Sequence, residues 1–363
     1  MTCENCSSSC KCSKQKKLLD DFSSTGKKKP WRKYKLQSLA ISRAYGFFDG
    51  LLKYSEKIAD CGFCLRFEVC TAVCHFKRLI AASFCKARLC VTCQWRKSLV
   101  IRKQLLALVH AHKKNFPRDI PLLLTLTIPN VKGKMLADAL TLMSKSWQKL
   151  TKRKLFANAV RSWFRALEVT YNEQRDDFHP HFHVLIMVPE AYFKVDRDLY
   201  ISQKKWLELW RKSTGIEAIT QVDIRKIKKS KDGAIEKLIA EVGKYATKPS
   251  SYVKWSYGEL EAKPAVIRRF HYALRRRRLV GYGGLFSKLR KELKQQDVEK
   301  SDLIDVSDSV PVDCLCPICQ STLIEEMYVW TIGLKNYVQE KENPQNPWPT
   351  LKLRTRKRKP MSL

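Results

Sequence analysis

The chain has 363 residues, and its excess of Lys and Arg over Asp and Glu gives a formal net charge of +35. This length allows about two domains with tails, and a hydrophobic content of 44% is enough for a folded core. The charge favours a polyanionic partner, with nucleic acid ahead of an anionic membrane surface. No run of about 18 apolar residues is present, which excludes a membrane-spanning helix, and the first residues lack the apolar segment of a signal peptide. We therefore expect a cytoplasmic protein, in which the 14 cysteines are thiols or metal ligands.

Two CxxC pairs form the first informative segment. Cys61 and Cys64 make one pair, and Cys90 and Cys93 make the other. Paired CxxC motifs that converge on one ion form a Cys₄ zinc site. The interval between the pairs slightly exceeds the usual spacing of about 15–20 residues, so Cys85 is an alternative to either member of the second pair. We expect structural zinc here, with buried thiols and no metal as the other interpretation.

A regular alternation of strands and helices follows the cysteine-rich segment. The apolar pattern predicts a helix at 99–115 and then the order β-α-β-β-α-β with a further helix. Strands are expected at 121–128, 165–172, 179–188 and 219–227, and helices at 133–154, 198–213 and 233–248. This order is that of a ferredoxin-like α+β fold, an antiparallel sheet with helices on one face. Residues 264–295 are predicted to be a basic helical extension.

Three of the seven histidines fall within the segment HPHFH at 179–183. Alternate residues of a strand share a face, so His179, His181 and His183 should point the same way. Two imidazoles at positions i and i+2 on a rigid strand can hold one divalent ion. We therefore predict that His181 and His183 bind a metal.

The preceding strand offers Glu168 as a third ligand. A symmetric turn at 174–177 would place Glu168 opposite His183, where directly opposed side chains lie within about 5.5 Å. A slip of one residue in this register would turn Glu168 to the other face of the sheet. His179 and Asp177 are the alternative third ligands.

A second group of reactive side chains lies in the helical pattern KLIAEVGKYATK. Glu241 and Tyr245 are four residues apart and Tyr245 and Lys248 are three apart, so all three should project from one helix face. A phenol is a weak nucleophile unless its phenolate is stabilised, which a divalent cation or Lys248 would do. Glu241 could take a proton from the phenol or from a water. Beside a metal that polarises a phosphate, this group predicts phosphodiester chemistry with a tyrosine nucleophile.

These motifs resemble those of the HUH endonucleases. The segment HFH at 181–183 is similar to their His-hydrophobic-His motif, LLLTLT at 122–127 resembles their first motif, and Glu241 with Tyr245 resembles their tyrosine motif. The most similar subgroup is the single-tyrosine initiators of rolling-circle plasmid replication. They share the EVTYN-like strand before HPHFH and a cysteine-rich segment like FCKARLCVTCQWR at 84–96.

This resemblance, which covers about residues 61–290, implies an initiator that nicks one DNA strand at the plasmid double-strand origin. The protein would stay attached through a 5′-phosphotyrosine and rejoin strands at termination, where Glu241 would let water end the cycle. The implied cofactors are Mg²⁺ or Mn²⁺ at the catalytic site and structural Zn²⁺. The implied partners are origin DNA, single-stranded or extruded as a hairpin, and the host helicase and polymerase, with no membrane involved.

Composition and motifs together divide the chain into five segments. We predict a basic flexible arm at 1–50, a cysteine-rich zinc-binding region at 51–118 and the HUH catalytic domain at 119–256. The basic helical extension then covers 257–295, and a linker, a small cysteine motif and a basic tail occupy 296–363.

Basic side chains near the catalytic domain are candidates for phosphate contacts. The candidates for this role are Lys248, Arg275, Arg276, Arg277 and Arg278. Solvated surface charge is the plain alternative for these residues.

Two other functions remain open at this point. A single-tyrosine HUH transposase or mobilisation relaxase would share the histidine pair and the tyrosine, but the long cysteine-rich segment and Glu241 favour the initiator. A zinc-containing DNA-binding regulator without enzymatic activity is the alternative from another class.

Overall fold

The structure is a computed structural model that describes residues 16–23, 26–72, 76–194, 198–226, 234–243, 247–304, 306 and 315–340. Within these ranges the chain is a mixed α+β protein with antiparallel sheets. It divides into two units, which we call the small unit and the large unit. The described residues up to Arg32, those of Gly62–Ser83 and those beyond Asp308 form the small unit, and Lys33–Cys61 and Phe84–Asp308 form the large unit.

The helices, in chain order, are α1 (Trp31–Gly46), α2 (Leu52–Ala59), α3 (Val91–Asn115), α4 (Leu136–Thr151), α5 (Lys154–Ala159), α6 (Gln203–Thr214), α7 (Ala234–Val242), α8 (Pro264–Leu274) and α9 (Leu285–Glu292). The strands are β1 (Cys64–Cys70), β2 (Lys77–Ala82), β3 (Ile120–Thr127), β4 (Val131–Lys132), β5 (Ser162–Asn172), β6 (Asp177–Val188), β7 (Asp223–Lys226), β8 (Val253–Ser256), β9 (Glu259–Ala262), β10 (Val280–Gly284), β11 (Leu323–Thr331) and β12 (Asn336–Glu340). No helix among the described residues is long and apolar enough to cross a membrane.

The large unit is built around a sheet with the strand order β10-β5-β6-β3-β7, in which every neighbouring pair is antiparallel. The short strand β4 adds to β6, and β8 and β9 form a separate hairpin. The elements β3, α4, β5, β6, α6, β7 and α7 follow one another in the predicted order. The apolar periodicity of this stretch therefore identified its strands and helices.

Helices α4 and α6 cover one face of this sheet. Trp147 of α4 and Trp210 of α6 lie against Phe182 of β6, with ring centroids 6.2 and 6.4 Å from the Phe182 ring. Phe182 alternates with His181 and His183 along the strand, so these two helices lie on the face opposite the histidines. The histidine face is thereby kept clear of the two connecting helices.

Residues 264–295 do not form the continuous basic helix predicted from the sequence. Helix α8 ends at Leu274, and β10 follows and extends the sheet by pairing with β5. The strand reads VGYGG, and glycine is a poor helix former. At Gly283 an added Cβ atom would lie 2.1 Å from the indole of Trp163, so a glycine is required where the two strands pack.

The small unit is a four-stranded antiparallel sheet with the order β12-β11-β1-β2. Its core contains Phe67, Tyr328 and Trp31, whose rings pack edge to face with centroids 5.9 to 6.0 Å apart. Trp31 also donates a 2.8 Å hydrogen bond from Nε1 to Asp21. The predicted linker and tail region thus supplies two strands of a sheet, which the sequence analysis did not anticipate.

The boundaries of the two units differ from the predicted segments. Helix α1 lies within the predicted arm, so that prediction is wrong for residues 31–46. The cysteine-rich region is divided between both units. Residues near the start of the predicted linker pack on α3, where Arg96 donates hydrogen bonds to the carbonyl oxygens of Leu303 (2.7 Å) and Ile304 (2.8 Å).

Candidate active site

Glu168, His181 and His183 come together on one face of the β5–β6 pair. The register places Glu168 directly opposite His181 and Ala166 opposite His183. The Oε2 atom of Glu168 lies 3.0 Å from Nε2 of His181 and 2.8 Å from Nε2 of His183. All three side chains are buried, and their ligand atoms lie within 4.8 Å of one another. Two imidazoles and one carboxylate in this arrangement can hold a divalent metal ion.

The register differs from the predicted one by two residues. The turn consists of residues 173–176, with Asn172 opposite Asp177, and is centred one residue earlier than expected. Asn172 Oδ1 accepts a 3.0 Å hydrogen bond from the Arg175 amide, and Asp176 has the left-handed φ of 46° that closes the turn. Because a shift of two residues preserves the face of the strand, Glu168 still reaches both imidazoles.

The imidazoles hold Glu168 in its ionised form. Burial by itself would raise the pKa of this carboxyl group, but the hydrogen bonds from His181 and His183 outweigh burial and keep the pKa well below its usual range. His181 Nδ1 lies 3.3 Å from the carbonyl oxygen of His179, a contact that orients the ring so that Nε2 faces Glu168. The site therefore offers a negative oxygen and two imidazole nitrogens to a cation.

The alternative ligands His179 and Asp177 have other partners. His179 Nε2 forms a hydrogen bond with the hydroxyl of Thr127. Asp177 accepts hydrogen bonds from Asn130 (3.1 Å) and Arg175 (2.9 Å). Within the described ranges, neither residue belongs to a group of three possible metal ligands, so the geometry favours Glu168 as the third ligand.

Tyr245 lies outside the described residues, and Glu241 lies near the end of α7, which stops at Val242. The single helix predicted through 248 is wrong, because Lys248 has the extended backbone angles φ −100° and ψ 96°. Pro249 disfavours the helical conformation in the residue before it, and Gly243 is a weak helix former. Lys248 is exposed and does not continue the helix face that carries Glu241.

The chain returns to the sheet directly after this segment. Thr247 forms a parallel bridge with Val169, the residue next to Glu168. Its hydroxyl donates to Gln94 Oε1 at 3.1 Å and forms a 2.8 Å hydrogen bond with the hydroxyl of Tyr252. Tyr252 is only 2% exposed, and burial raises its pKa to about 12. This neighbouring tyrosine is therefore a poor nucleophile.

Four cysteines of the large unit form a compact cluster: Cys61, Cys85, Cys90 and Cys93. Their Sγ atoms lie within 4.8 Å of one another, with Cys61 and Cys93 3.4 Å apart and Cys85 and Cys93 3.7 Å apart. Backbone amides also donate to the sulfur atoms, as Lys86 does to Cys93 at 3.2 Å. This cluster can hold a metal such as zinc.

The predicted zinc ligand set included Cys64 instead of Cys85. Cys64 is the first residue of β1 and pairs with Val329 in the small unit, so strand pairing determines its position. Gly62, between the two members of the predicted pair, has a left-handed φ of 61°. The CxxC spacing of Cys61 and Cys64 was therefore misleading, and Cys85 takes the fourth place.

Burial and mutual hydrogen bonds shift the pKa values of these thiols in opposite directions. Hydrogen bonds from neighbouring thiols raise the pKa of Cys61, and burial raises that of Cys93. At Cys90, burial would raise the pKa, but hydrogen bonds from the other thiols lower it well below the usual value. As thiolates the four groups would repel one another, and a bound cation would offset that repulsion. Lys35, which is fully buried, donates to the carbonyl oxygen of Cys61 at 2.8 Å, a contact that no motif in the sequence indicated.

The predicted arginine run borders a cavity of about 1150 Å³ in the large unit. Arg276, Arg277 and Arg278 line it, whereas Arg275 is exposed and is not among the lining residues. Other basic and aromatic lining residues are Arg88, Arg165, Arg290, Lys291, Lys294, Trp147, Trp163 and Tyr282. The positive charge of this lining suits the phosphates of DNA.

Two arginines of this cavity differ in their contacts and burial. Arg277 donates to Ala137 O at 2.7 Å and to Thr141 Oγ1 at 2.8 Å, which ties the arginine run to α4. Arg165 is 8% exposed, and burial lowers its pKa to about 10. Among the described residues its Nε atom has no hydrogen-bond partner. Arg165 was not among the residues predicted from the sequence, where its one signal is a basic residue between the apolar Phe164 and Ala166 of β5.

Comparison with known proteins gives a consistent result. Residues 76–338 match the Rep_1 family, described as "Replication protein". A "Protein rep" of Streptococcus pneumoniae serotype 2 is 35% identical over 81% of this chain and 89% of its own length. A "Protein rep" of Bacillus amyloliquefaciens is 31% identical over 88% of this chain and 97% of its own length. No solved structure is significantly similar to the chain. The chain therefore belongs to the Rep_1 family of replication proteins.

Proposed function

We propose that this protein is a plasmid replication initiator of the rolling-circle type, which nicks one strand at the double-strand origin and rejoins strands at termination. The observation that carries the proposal is the convergence of Glu168, His181 and His183 on one sheet face. The relatives named "Protein rep" and "Replication protein" support an origin-directed function.

The fold supports an HUH endonuclease. We infer a ferredoxin-like arrangement from the order of β3, α4, β5, β6, α6 and β7, with β3 and β6 at the centre of the four strands. The histidines lie on the central strand β6, on the face that α4 and α6 leave clear.

The reaction we propose is a transesterification. When bound, Mg²⁺ or Mn²⁺ supplies Lewis-acid polarisation of the scissile phosphate. Glu168, His181 and His183 bind the ion, and Tyr245 attacks the phosphorus atom. The bond to the 3′ oxygen breaks as the phenol gives up its proton to solvent and the departing oxygen takes one up, which leaves a free 3′-OH and a 5′-phosphotyrosine. At termination Glu241 accepts the proton of the attacking water.

Two described residues that follow Tyr245 in the chain support its role. Thr247 is bridged to Val169 beside Glu168, and two residues of chain span at most about 7 Å. This bridge holds Thr247, two positions after the proposed nucleophile, beside the strand that carries the carboxylate ligand. Tyr252, the nearby alternative, is buried and hydrogen-bonded.

The rest of the large unit would recognise DNA and stabilise the fold. We propose that Arg276 and Arg278 contact phosphates at the mouth of the cavity. Lys248 and Arg275, which are exposed and do not line the cavity, would contact phosphates elsewhere on the surface. We also propose that Zn²⁺ binds the cluster of Cys61, Cys85, Cys90 and Cys93 and contributes to the folding free energy of that region.

Incubation with supercoiled plasmid that carries the parent origin tests this function. In the presence of Mg²⁺ or Mn²⁺ we expect open circles whose 3′ end a polymerase can extend and whose 5′ end is blocked by protein. A DNA-binding regulator without enzymatic activity would bind the origin and leave the plasmid supercoiled. That outcome would contradict the proposal.

A further inference from the structure

We propose that the small unit binds a zinc ion of its own through the thiolates of Cys70, Cys316 and Cys319. The three Sγ atoms lie within 4.8 Å of one another, and those of Cys70 and Cys319 are 3.4 Å apart. Zinc–sulfur bonds of about 2.3 Å at tetrahedral angles place sulfur atoms about 3.8 Å apart. The three thiols are therefore close enough to bind one ion.

The sheet of the small unit brings these cysteines together from opposite ends of the chain. Cys70 is the last residue of β1 and pairs with Leu323, the first residue of β11. The loop before β11 carries Cys316 and Cys319 and is closed by a bridge between Leu315 and Thr322. As a result, two cysteines 249 positions apart come into contact, and sequence spacing alone could not reveal this set.

Backbone amides donate to these sulfur atoms as they do in the cluster of the large unit. The Ile318 amide donates to Cys316 Sγ at 3.4 Å, and the Ala72 amide donates to Cys70 Sγ at 3.3 Å. In both cases the donor lies two residues after the cysteine. The cluster of the large unit has the same arrangement, since the Ala87 amide donates to Cys85 Sγ at 3.4 Å. Such N–H donors stabilise thiolates, the form of cysteine that binds zinc.

The surroundings favour an ion over simple packing of thiols. Cys316 is completely buried and Cys70 is 7% exposed, but among the described residues their apolar cluster contains only Phe76 and Leu323 besides these two cysteines. Cys319 is exposed. A zinc ion would tie the end of β1 to the loop before β11, where so small an apolar cluster contributes little stability.

Zinc in structural sites is four-coordinate, so a fourth donor is required. Cys74, His75 and Cys314 are nearby in sequence to the three cysteines, and all lie outside the described residues. The proposal rests on the three described thiols and does not depend on which group, or water, takes the fourth position.

Counting zinc in the intact protein tests the proposal. The full-length protein carries His181→Ala, so that the histidine site does not take up zinc. It is purified without oxygen, and its bound zinc is counted by native mass spectrometry. We expect two zinc ions per chain, one for each cysteine cluster. Cys316→Ser and Cys319→Ser should each lose one ion and keep the other, and Cys319 is the safer position because it is exposed.

Cys64→Ser is the matched control, because Cys64 lies in the same strand as Cys70 and is buried but belongs to neither cluster. This variant should retain both ions. A wild-type content of one zinc that the Cys316 and Cys319 variants leave unchanged would overturn the proposal, as would a disulfide between Cys70 and Cys319 in the anaerobic protein. Because the count does not depend on nicking, its failure is distinguishable from failure of the proposed function.

Discussion

Glu168 lies directly across the β5–β6 ladder from His181, and its Oε2 atom is 3.0 Å from the Nε2 atom of that histidine. The same oxygen is 2.8 Å from Nε2 of His183, so one carboxylate joins both imidazoles. A divalent cation at this point would meet ligands from two adjacent strands. The rigidity of that strand pair would fix the position of the ion relative to the DNA.

Glu168→Gln should greatly weaken metal-dependent nicking, because a neutral amide binds a cation less well than a carboxylate of similar shape. We expect a loss of about 100-fold or more at a fixed metal concentration, partly reversed by excess Mn²⁺. The measurement is the initial rate of open-circle formation. Asp177→Asn is the control and should stay within a few-fold of wild type, since Asp177 pairs with Asn130 and Arg175. Unchanged nicking in the Gln variant would remove Glu168 from the ligand set.

Glu241→Gln should separate initiation from termination. Nicking should survive, because the nucleophile and the metal ligands remain. Hydrolysis at termination should slow by about 10²–10⁴-fold, since the amide cannot accept a proton from water. Covalent protein–DNA complexes or multimeric plasmid products would then accumulate, as gel analysis of replication products would show. If Glu241 is only a surface ion-pair partner, termination will be normal, because such a pair contributes about 0–1 kcal/mol.

Cys85→Ser should remove zinc from the large unit and lower its stability. A structural zinc site contributes directly to the folding free energy, so both the melting temperature and specific origin binding should fall. Metal analysis and thermal unfolding would measure this. Cys64→Ser should retain the zinc of this cluster, because Cys64 is not among its four thiols. Zinc loss from the Cys64 variant alone would restore the two CxxC pairs as the site.

Replacing Arg276 and Arg278 with Ala should weaken DNA binding and reduce its dependence on salt. Each lost phosphate contact should lower the slope of log affinity against log salt by about 1. Filter binding across a range of salt concentrations would give the slope. Arg118→Ala is the control, because Arg118 is exposed, pairs only at 3.8 Å with Glu190 and does not line the cavity. Equal effects in both variants would indicate a general loss of charge.

The sequence predicted the meeting of Glu168, His181 and His183 better than it predicted the limits of the elements around them. Alternation along β6 placed His181 and His183 on one face, and a register error of two residues did not disturb that prediction because the strand period is two. The turn at 173–176 could not be located, since its closure depends on the Asn172 side chain and the backbone of Asp176.

Long-range contacts account for most of what the sequence did not reveal. The strand β10 was hidden in a basic segment, and its glycines are explained only by packing against Trp163. Cys85 was predicted as an alternative to Cys90 or Cys93, whereas in the cluster it stands in place of Cys64. Strand pairing in the small unit determines the position of Cys64, and the spacing of the cysteines does not reveal that pairing. Neither the division of the chain into units nor the contact of Cys70 with Cys319 leaves a local signal in the sequence.

Identification of the covalently modified residue is the most direct test of the account. The protein is incubated with Mn²⁺ and an origin oligonucleotide whose cleavage releases the 5′ fragment with its free 3′-OH. The adduct, which retains the 3′ fragment, is then digested and mapped by mass spectrometry. We expect the 5′-phosphate on Tyr245 and no adduct with Tyr245→Phe. Tyr252→Phe should form the adduct normally but lose about 1 kcal/mol of stability with its hydrogen bond to Thr247. An adduct on Tyr252, or none in the wild-type protein under conditions of origin binding, would contradict the proposed mechanism.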